Sequence, residues 1–363
     1  MAEKIRVLVV DDSVFARSII AKKLNADPEL EVIDFAKDGL EAVEKVKSLK
    51  PNVVTLDVSM PRMDGLEALD RIMLECPTPV VMLSALTGEQ TQTTLTALER
   101  GAVDFFLKPS ITNATGITNA TGETTAVADL IKTIKTASTV SAARLRTIGN
   151  LNRTNRIDNQ PKAPRSTKLN KVVVIGASTG GPKALADLIP ALPSDLPAAV
   201  VIVQHMPPMF TKSLAERLDR SSAIEVKEAQ DEDKVESGKV LIAPGGYHMV
   251  MTKDWTVKIN QDPQVCGVRP SVDVLMLSVS QVCKAATLGV VLTGMGSDGT
   301  NGASRIKAMG GQVIVENEST CSIYGMPKSV VDAGFADKSV PLNKMAQEIA
   351  AMCSSRQPKK IAA

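Results

Sequence analysis

Cysteine, aromatic side chains, charge of one sign and long apolar runs are all scarce in this 363-residue chain, and each scarcity removes a class of function. The five cysteines, Cys76, Cys266, Cys283, Cys321 and Cys353, are odd in number and form no Cys-x-x-Cys pair, which disfavours disulfides and a zinc site and leaves buried structural thiols as the expectation. Aromatics are 2% of residues, too few for stacking on nucleobases, so the cores must be mainly aliphatic. The formal net charge is only +2, with Lys and Arg spread along the chain, so neither nucleic acid nor an anionic membrane surface is an expected partner. No apolar run is long enough to span a bilayer, and Met1 leads directly into Ile5-Arg-Val-Leu-Val-Val10 without room for a signal peptide. A cytoplasmic protein without membrane insertion, acting on a protein or small-molecule partner, is the expectation.

The length suits two domains, each large enough to bury its own core. From Lys4 to about Arg146, short β-branched runs alternate with helical patterns, with strands expected near Arg6 to Val10, Glu31 to Ala36, Val53 to Asp57, Pro79 to Ser84 and Val103 to Leu107. That alternation predicts a doubly wound parallel sheet. After the fifth strand lies a direct duplication, Ile111-Thr-Asn-Ala-Thr-Gly116 and Ile117-Thr-Asn-Ala-Thr-Gly122, which reads as an exposed insertion because two copies cannot bury a core. Residues 148–170 are polar and read as a linker, and a second α/β series runs over 171–353 before a polar tail at 354–363. Its clearest strands are Val172 to Ile175, Ala199 to Val203, Val240 to Ile242, Leu288 to Leu292 and Gln312 to Val315.

In open parallel sheets, function gathers at the carboxyl ends of strands. Asp11 and Asp12 follow the first strand of domain 1–147 and Asp57 ends the third, so three carboxylates can converge, and their mutual repulsion suits Mg²⁺ with oxygen ligands. Ser84 ends the fourth strand and Lys108 follows the fifth, offering a hydroxyl and an ammonium to phosphoryl oxygens on Asp57. With Met60-Pro-Arg-Met-Asp-Gly65, these residues resemble a response-regulator receiver domain of flavodoxin-like fold. The resemblance implies that Asp57 accepts phosphate from a histidine kinase and that Asp11, Asp12 and Asp57 hold Mg²⁺. It also implies that Ser84 and Phe105 rearrange on phosphorylation.

In the second domain, Lys171-Val-Val-Val-Ile-Gly-Ala-Ser-Thr-Gly-Gly-Pro-Lys-Ala-Leu185 reads as strand, abrupt turn, helix. A dinucleotide site would want a glycine where Ser178 stands and an acid after the next strand, yet that strand ends in Gln204-His205. Gly-x-Ser-x-Gly is instead the nucleophile-elbow pattern, with Pro182 near the helix start where a missing N–H costs little. Serine needs a base, and the chain has two histidines. His205 closes the strand after the one presenting Ser178, whereas His248 lies within a hairpin-like segment after Pro244-Gly-Gly246, so placement favours His205. Asp298, in Leu292-Thr-Gly-Met-Gly-Ser-Asp-Gly299 before a helix expected near Gly302, is either the carboxylate that orients the imidazole or a helix-capping aspartate. The order Ser, His, Asp departs from that of α/β-hydrolases, and a Rossmann-like ligand sensor without catalysis is the competing class.

Gly176-Ala-Ser-Thr-Gly-Gly-Pro182, Val203-Gln-His-Met-Pro207, Ala243-Pro-Gly-Gly246, Arg269-Pro-Ser-Val-Asp273 and Thr293-Gly-Met-Gly-Ser-Asp-Gly299 together resemble the chemotaxis methylesterase family CheB, in family order across both domains. The resemblance implies a Rossmann-like methylesterase domain that hydrolyses glutamate methyl esters on chemoreceptors, releases methanol and, in some members, deamidates receptor glutamine. It implies Ser178 as nucleophile, His205 as general base, Asp298 as orienting carboxylate and the Met295 N–H as oxyanion donor, with no cofactor needed at that site. It also implies control by phosphorylation of the receiver, and it gives His248 and Arg269 no firm role.

Overall fold

A computed structural model of the protein describes residues 3–85, 88–108, 122–141, 145 and 169–354. The duplicated insertion up to residue 121, most of the linker and the tail beyond 354 lie outside the described residues. The chain divides into two units, Met1–Thr154 and Asn155–Ala363, and the division falls inside the stretch read as linker. Among the described residues no helix is long and apolar enough to cross a membrane.

The first unit is built on β1 (Ile5–Val10), β2 (Leu30–Ala36), β3 (Val53–Asp57), β4 (Val80–Ser84) and β5 (Asp104–Leu107), all parallel, in the order β2-β1-β3-β4-β5. Every residue of β3 and β4 is buried, as expected of central strands covered by helices on both faces, and this is why they read as unbroken apolar runs. Local chemistry starts the helices. Ser13, Asp38 and Asp64 accept the N–H groups of Ala16, Glu41 and Glu67 at the heads of helices Val14–Leu24, Gly39–Leu49 and Gly65–Glu75. Each such cap contributes about 1 kcal/mol. The chain's strand order reverses between β1 and β3, so their carboxyl ends open the crevice in which Asp11, Asp12 and Asp57 stand.

The second unit holds seven parallel strands in the order β14-β13-β12-β6-β7-β9-β8. These are β6 (Lys171–Ala177), β7 (Ala198–Gln204), β8 (Glu225–Glu228), β9 (Lys239–Ile242), β12 (Thr287–Val291), β13 (Gln312–Glu316) and β14 (Lys338–Val340). β8 and β14 are the two edges, where one side of the ladder is open and polar residues are tolerated; their sequences Glu-Val-Lys-Glu and Lys-Ser-Val carry little apolar signal. A separate antiparallel hairpin pairs β10 (His248–Met251) with β11 (Val257–Asn260). It is tied to helix Val272–Cys283 by the bond from Met251 N–H to Ser278 Oγ at 3.0 Å. Valines and methionines of β6, β7, β12, β13, the hairpin and that helix make one aliphatic core. Here the strand order reverses between β6 and β12, placing the switch point under Ser178 on one side and Thr293 to Asp298 on the other.

Candidate active site

Three strand ends converge on one site in the second unit. Ser178 follows β6 and is held by its own N–H donating to Thr293 O at 3.0 Å, while Gly181 N–H donates to Ser178 O at 2.7 Å. Gly180 takes φ +77, a left-handed conformation that completes the sharp reversal into helix Gly181–Leu188. His205 follows β7, which pairs with β6 up to Ala177 opposite Gln204, and His205 N–H donates to Ala177 O at 3.0 Å. The backbone that carries the imidazole is therefore laced to the residue just before the serine. His205 Nε2 meets Asp298 Oδ2 at 2.8 Å. Because a carboxylate only accepts, Nε2 carries a proton, and in the neutral imidazole Nδ1 is then the nitrogen with the lone pair, the form a general base requires. Among the described residues the Ser178 hydroxyl and His205 Nδ1 have no hydrogen-bond partner, and Ser178 is half-buried, accessible to a substrate.

Asp298 is 3% exposed and saturated. Its Oδ1 accepts from Ser271 Oγ and Asp273 N–H, both at 2.9 Å, and its Oδ2 accepts from Val272 N–H at 2.7 Å as well as from His205. Burial pushes its pKa up, but the His205 hydrogen bond, with the N–H groups of Asp273 and Val272, more than offsets this and holds it below the ordinary value. The two sequence readings of Asp298 are compatible in the structure: it is hydrogen-bonded to the imidazole and it accepts the first N–H groups of a helix. The helix is Val272–Cys283, however, and not the one that follows it. That following helix, Thr300–Ala308, begins two residues before the expected Gly302 and has Gly299 as its cap, whose N–H donates to Asp273 Oδ1 at 2.9 Å.

Several supporting residues were present in the motifs without a role that spacing could assign. Gln204 donates from Nε2 to Ser178 O at 2.9 Å and to His205 O at 3.1 Å, tying the Ser178 and His205 turns together. Thr293 donates from Oγ1 to Thr179 O at 3.0 Å, and Thr293 N–H donates to Glu316 Oε2 at 2.9 Å. Glu316 is fully buried at the end of β13, and burial pushes its pKa to about 7 against the Thr293 N–H. Met295 is half-buried two residues beyond Thr293, on the turn that supplies the contact to Ser178 N–H. Of the cysteines, Cys283, Cys321 and Cys353 are buried as expected, whereas Cys76 is half-buried and Cys266 exposed, because Cys266 lies on the loop after the hairpin and not in the core. Cys266 converges with Asp273 and Asp298 within 4.8 Å. The lone pairs of Asp298 are already taken by four donors, and Asp273 accepts from Gly299, Gly302 and Asn301, so these carboxylates hold protein and not a cation.

A second constellation lies in the first unit. Asp11 (buried), Asp12 (exposed) and Asp57 (buried) bring one carboxylate oxygen each within 4.8 Å of one another. Lys108 Nζ lies 2.8 Å from Asp11 Oδ2 and 2.6 Å from Asp57 Oδ2. Burial raises the pKa of Asp57 to about 6 and the Asp11 charge adds to this, while Lys108 opposes both. Three carboxylates against one ammonium leave negative charge in excess, and an all-oxygen set of this kind fits Mg²⁺. Ser84 is buried, and its hydroxyl donates to Ala85 O at 3.2 Å while accepting from Thr94 Oγ1 at 2.8 Å. Phe105 is half-buried on β5, opposite Met82 in the ladder.

Comparison with known proteins bears on both constellations. A family profile described as CheB methylesterase matches residues 173–349, and one described as response regulator receiver domain matches residues 7–117. The chain is similar to a protein-glutamate methylesterase/protein-glutamine glutaminase of Pyrococcus horikoshii, 45% identical over 352 residues covering 96% of this chain and 94% of that one. A protein of the same description from Thermotoga maritima is 44% identical over 354 residues, covering 95% and 97%. Among solved structures, the catalytic domain of Thermotoga maritima CheB methylesterase is 46% identical and covers 50% of this chain and 98% of that chain, with a TM-score of 0.49.

Proposed function

The chain belongs to the CheB methylesterase family, and from that premise we propose that it is a phosphorylation-controlled serine hydrolase that removes methyl groups from glutamate side chains of chemoreceptors and deamidates receptor glutamines. The observation that carries this reading is the His205–Asp298 hydrogen bond at 2.8 Å, which holds a ring proton on Nε2 and so makes Nδ1 the basic nitrogen of the neutral imidazole, beside the strand end that presents Ser178. Ser178 Oγ attacks the ester carbonyl carbon as Nδ1 takes its proton, and Asp298 stabilises the imidazolium that forms. The oxyanion of the tetrahedral intermediate takes the Met295 N–H as donor. Its collapse breaks the bond to methoxide, which leaves as methanol with the proton from His205. Water then attacks the acyl-enzyme by the same proton route, giving glutamate and free Ser178. With a glutamine side chain the leaving group is ammonia.

Control belongs to the first unit. Asp57 accepts a phosphoryl group from a histidine kinase, Lys108 pairs with its oxygens, and Ser84 turns from Ala85 and Thr94 toward it with Phe105 following. Asp11, Asp12 and Asp57 are the residues that would hold Mg²⁺, whose charge would offset the phosphoryl oxygens during transfer. The reading is tested by incubating the full chain with methylated receptor membranes and measuring methanol. Ser178→Ala should reduce release by about 10⁴-fold or more with an unchanged fold; methanol release by that variant at the wild-type rate would sink the serine mechanism.

A further inference from the structure

His248 is the second of the chain's two histidines, and the hydrolytic cycle does not use it. It is 1% exposed, at the start of β10, and both ring nitrogens are engaged. Nδ1 accepts the Ser271 N–H at 3.2 Å, and Nε2 lies 3.1 Å from Pro263 O. A carbonyl only accepts, so the ring is neutral with its proton on Nε2. Ser271, thus held, is the cap of helix Val272–Cys283, and its hydroxyl donates to Asp298 Oδ1 at 2.9 Å. Arg269 fastens the same corner from the other side, donating from Nη1 to Gln261 O at 2.8 Å and to Asp262 O at 2.9 Å. A continuous line of hydrogen bonds therefore runs from His248 through Ser271 to Asp298 and on to His205.

We infer that His248 is a positioning residue of the hydrolase site, fixing the Asp298 carboxylate through Ser271. The inference rests on the triad reading above. The alternative role for a buried histidine here is to tether the loop at Pro263, and the two roles use different nitrogens. Asparagine places an amide oxygen where Nδ1 stands and keeps an acceptor for Ser271 N–H, but it loses the donor to Pro263 O. Glutamine places an amide nitrogen near Nε2 and keeps that donor, but it loses the acceptor. Positioning through Ser271 therefore ranks His248→Asn above His248→Gln, and tethering ranks them in reverse.

In the full chain, methanol release from methylated receptor membranes should show kcat in His248→Gln reduced by up to about 100-fold, the scale of a misplacement of about 1 Å in a reacting constellation, with KM little changed. His248→Asn should retain at least about tenfold more kcat than His248→Gln. A second readout needs no turnover: each His248 variant has a single histidine, so its ¹⁵N-histidine NMR reports His205 alone and assigns the His205 signals in chains that keep both. The Nε2–H form bonded to Asp298 should persist in His248→Asn and give way to mixed tautomers in His248→Gln. Ser271→Ala removes the hydroxyl to Asp298 while leaving every contact of His248 in place, and it should disturb the His205 signal and kcat in the same direction as His248→Gln. The reverse ranking, or wild-type His205 signals in both His248→Gln and Ser271→Ala, overturns the inference. An undiminished methanol yield from Ser178→Ala would instead strike the triad reading, leaving the NMR comparison to judge His248 by itself.

Discussion

At a buried carboxylate the balance of desolvation against donated hydrogen bonds sets the charge, and the second unit holds two that fall on opposite sides of it. Asp298 collects four donors, His205 among them, and stays ionised; Glu316 accepts the Thr293 N–H in full burial, and its pKa rises to about 7. The consequence for Glu316 is a pH-dependent stability of definite sign. Its folded pKa lies above the ordinary 4.5, so the folded state holds the proton more tightly between about 4.5 and about 7. The group costs nothing below that window, and its full cost is present above it. Glu316→Gln keeps an oxygen for Thr293 N–H and cannot ionise. Denaturant unfolding at pH 5 and pH 8 should therefore show the stability difference between variant and wild type moving in the variant's favour by about 2 to 3 kcal/mol. A difference independent of pH would mean that Glu316 is not held protonated by its burial.

Between elements, close approach of backbones decides which residues can change. Gly65 opens helix Gly65–Glu75, and a Cβ there would collide with the carbonyl oxygen of Asp57 and lie 3.1 Å from Val58 Cα. Gly65→Ala should cost the first unit about 1–3 kcal/mol through overpacking and slow the uptake of phosphate from acetyl phosphate, because the displaced backbone is that of Asp57, the proposed acceptor. An unchanged melting temperature together with wild-type labelling would refute that constraint. Central strands such as Val53–Asp57 and Lys171–Ala177 were legible in the sequence because burial on both faces forces unbroken apolar runs. Edge strands β8 and β14 were not, since an open edge relaxes that demand. The same division holds in the site. Ser178, His205 and Asp298 stand at strand-end turns whose residue types carry their chemistry, and the structure brings His205 and Asp298 into contact beside the Ser178 turn. Ser271, Gln204, Thr293 and Glu316 are partners only because separate strands and a helix converge, and no local spacing encodes that convergence.

Over the whole molecule, the second unit has an aliphatic core made entirely of its own residues, so removal of the first should leave it folded. That independence makes the proposed control testable by subtraction. If phosphorylation of Asp57 acts by shifting an equilibrium between inhibited and competent arrangements, the unphosphorylated chain is competent for only a fraction of the time, and its rate is reduced by that fraction. A chain lacking residues 1–147 is relieved of the inhibited arrangement altogether and should release methanol faster than the unphosphorylated full chain. The factor gained sets a ceiling on what a phosphodonor can achieve with the intact protein, since population shift cannot exceed full competence. A tenfold factor corresponds to a shift of about 1.4 kcal/mol, within reach of a few charge-assisted hydrogen bonds formed around a phosphoryl group. Acetyl phosphate should raise the rate of the full chain toward that ceiling, leave the truncated chain unchanged and have no effect on an Asp57→Asn variant. A truncated chain no faster than the unphosphorylated full chain would reject autoinhibition. Stimulation well above the truncated rate would show that the phosphorylated first unit adds something to catalysis beyond the removal of a block.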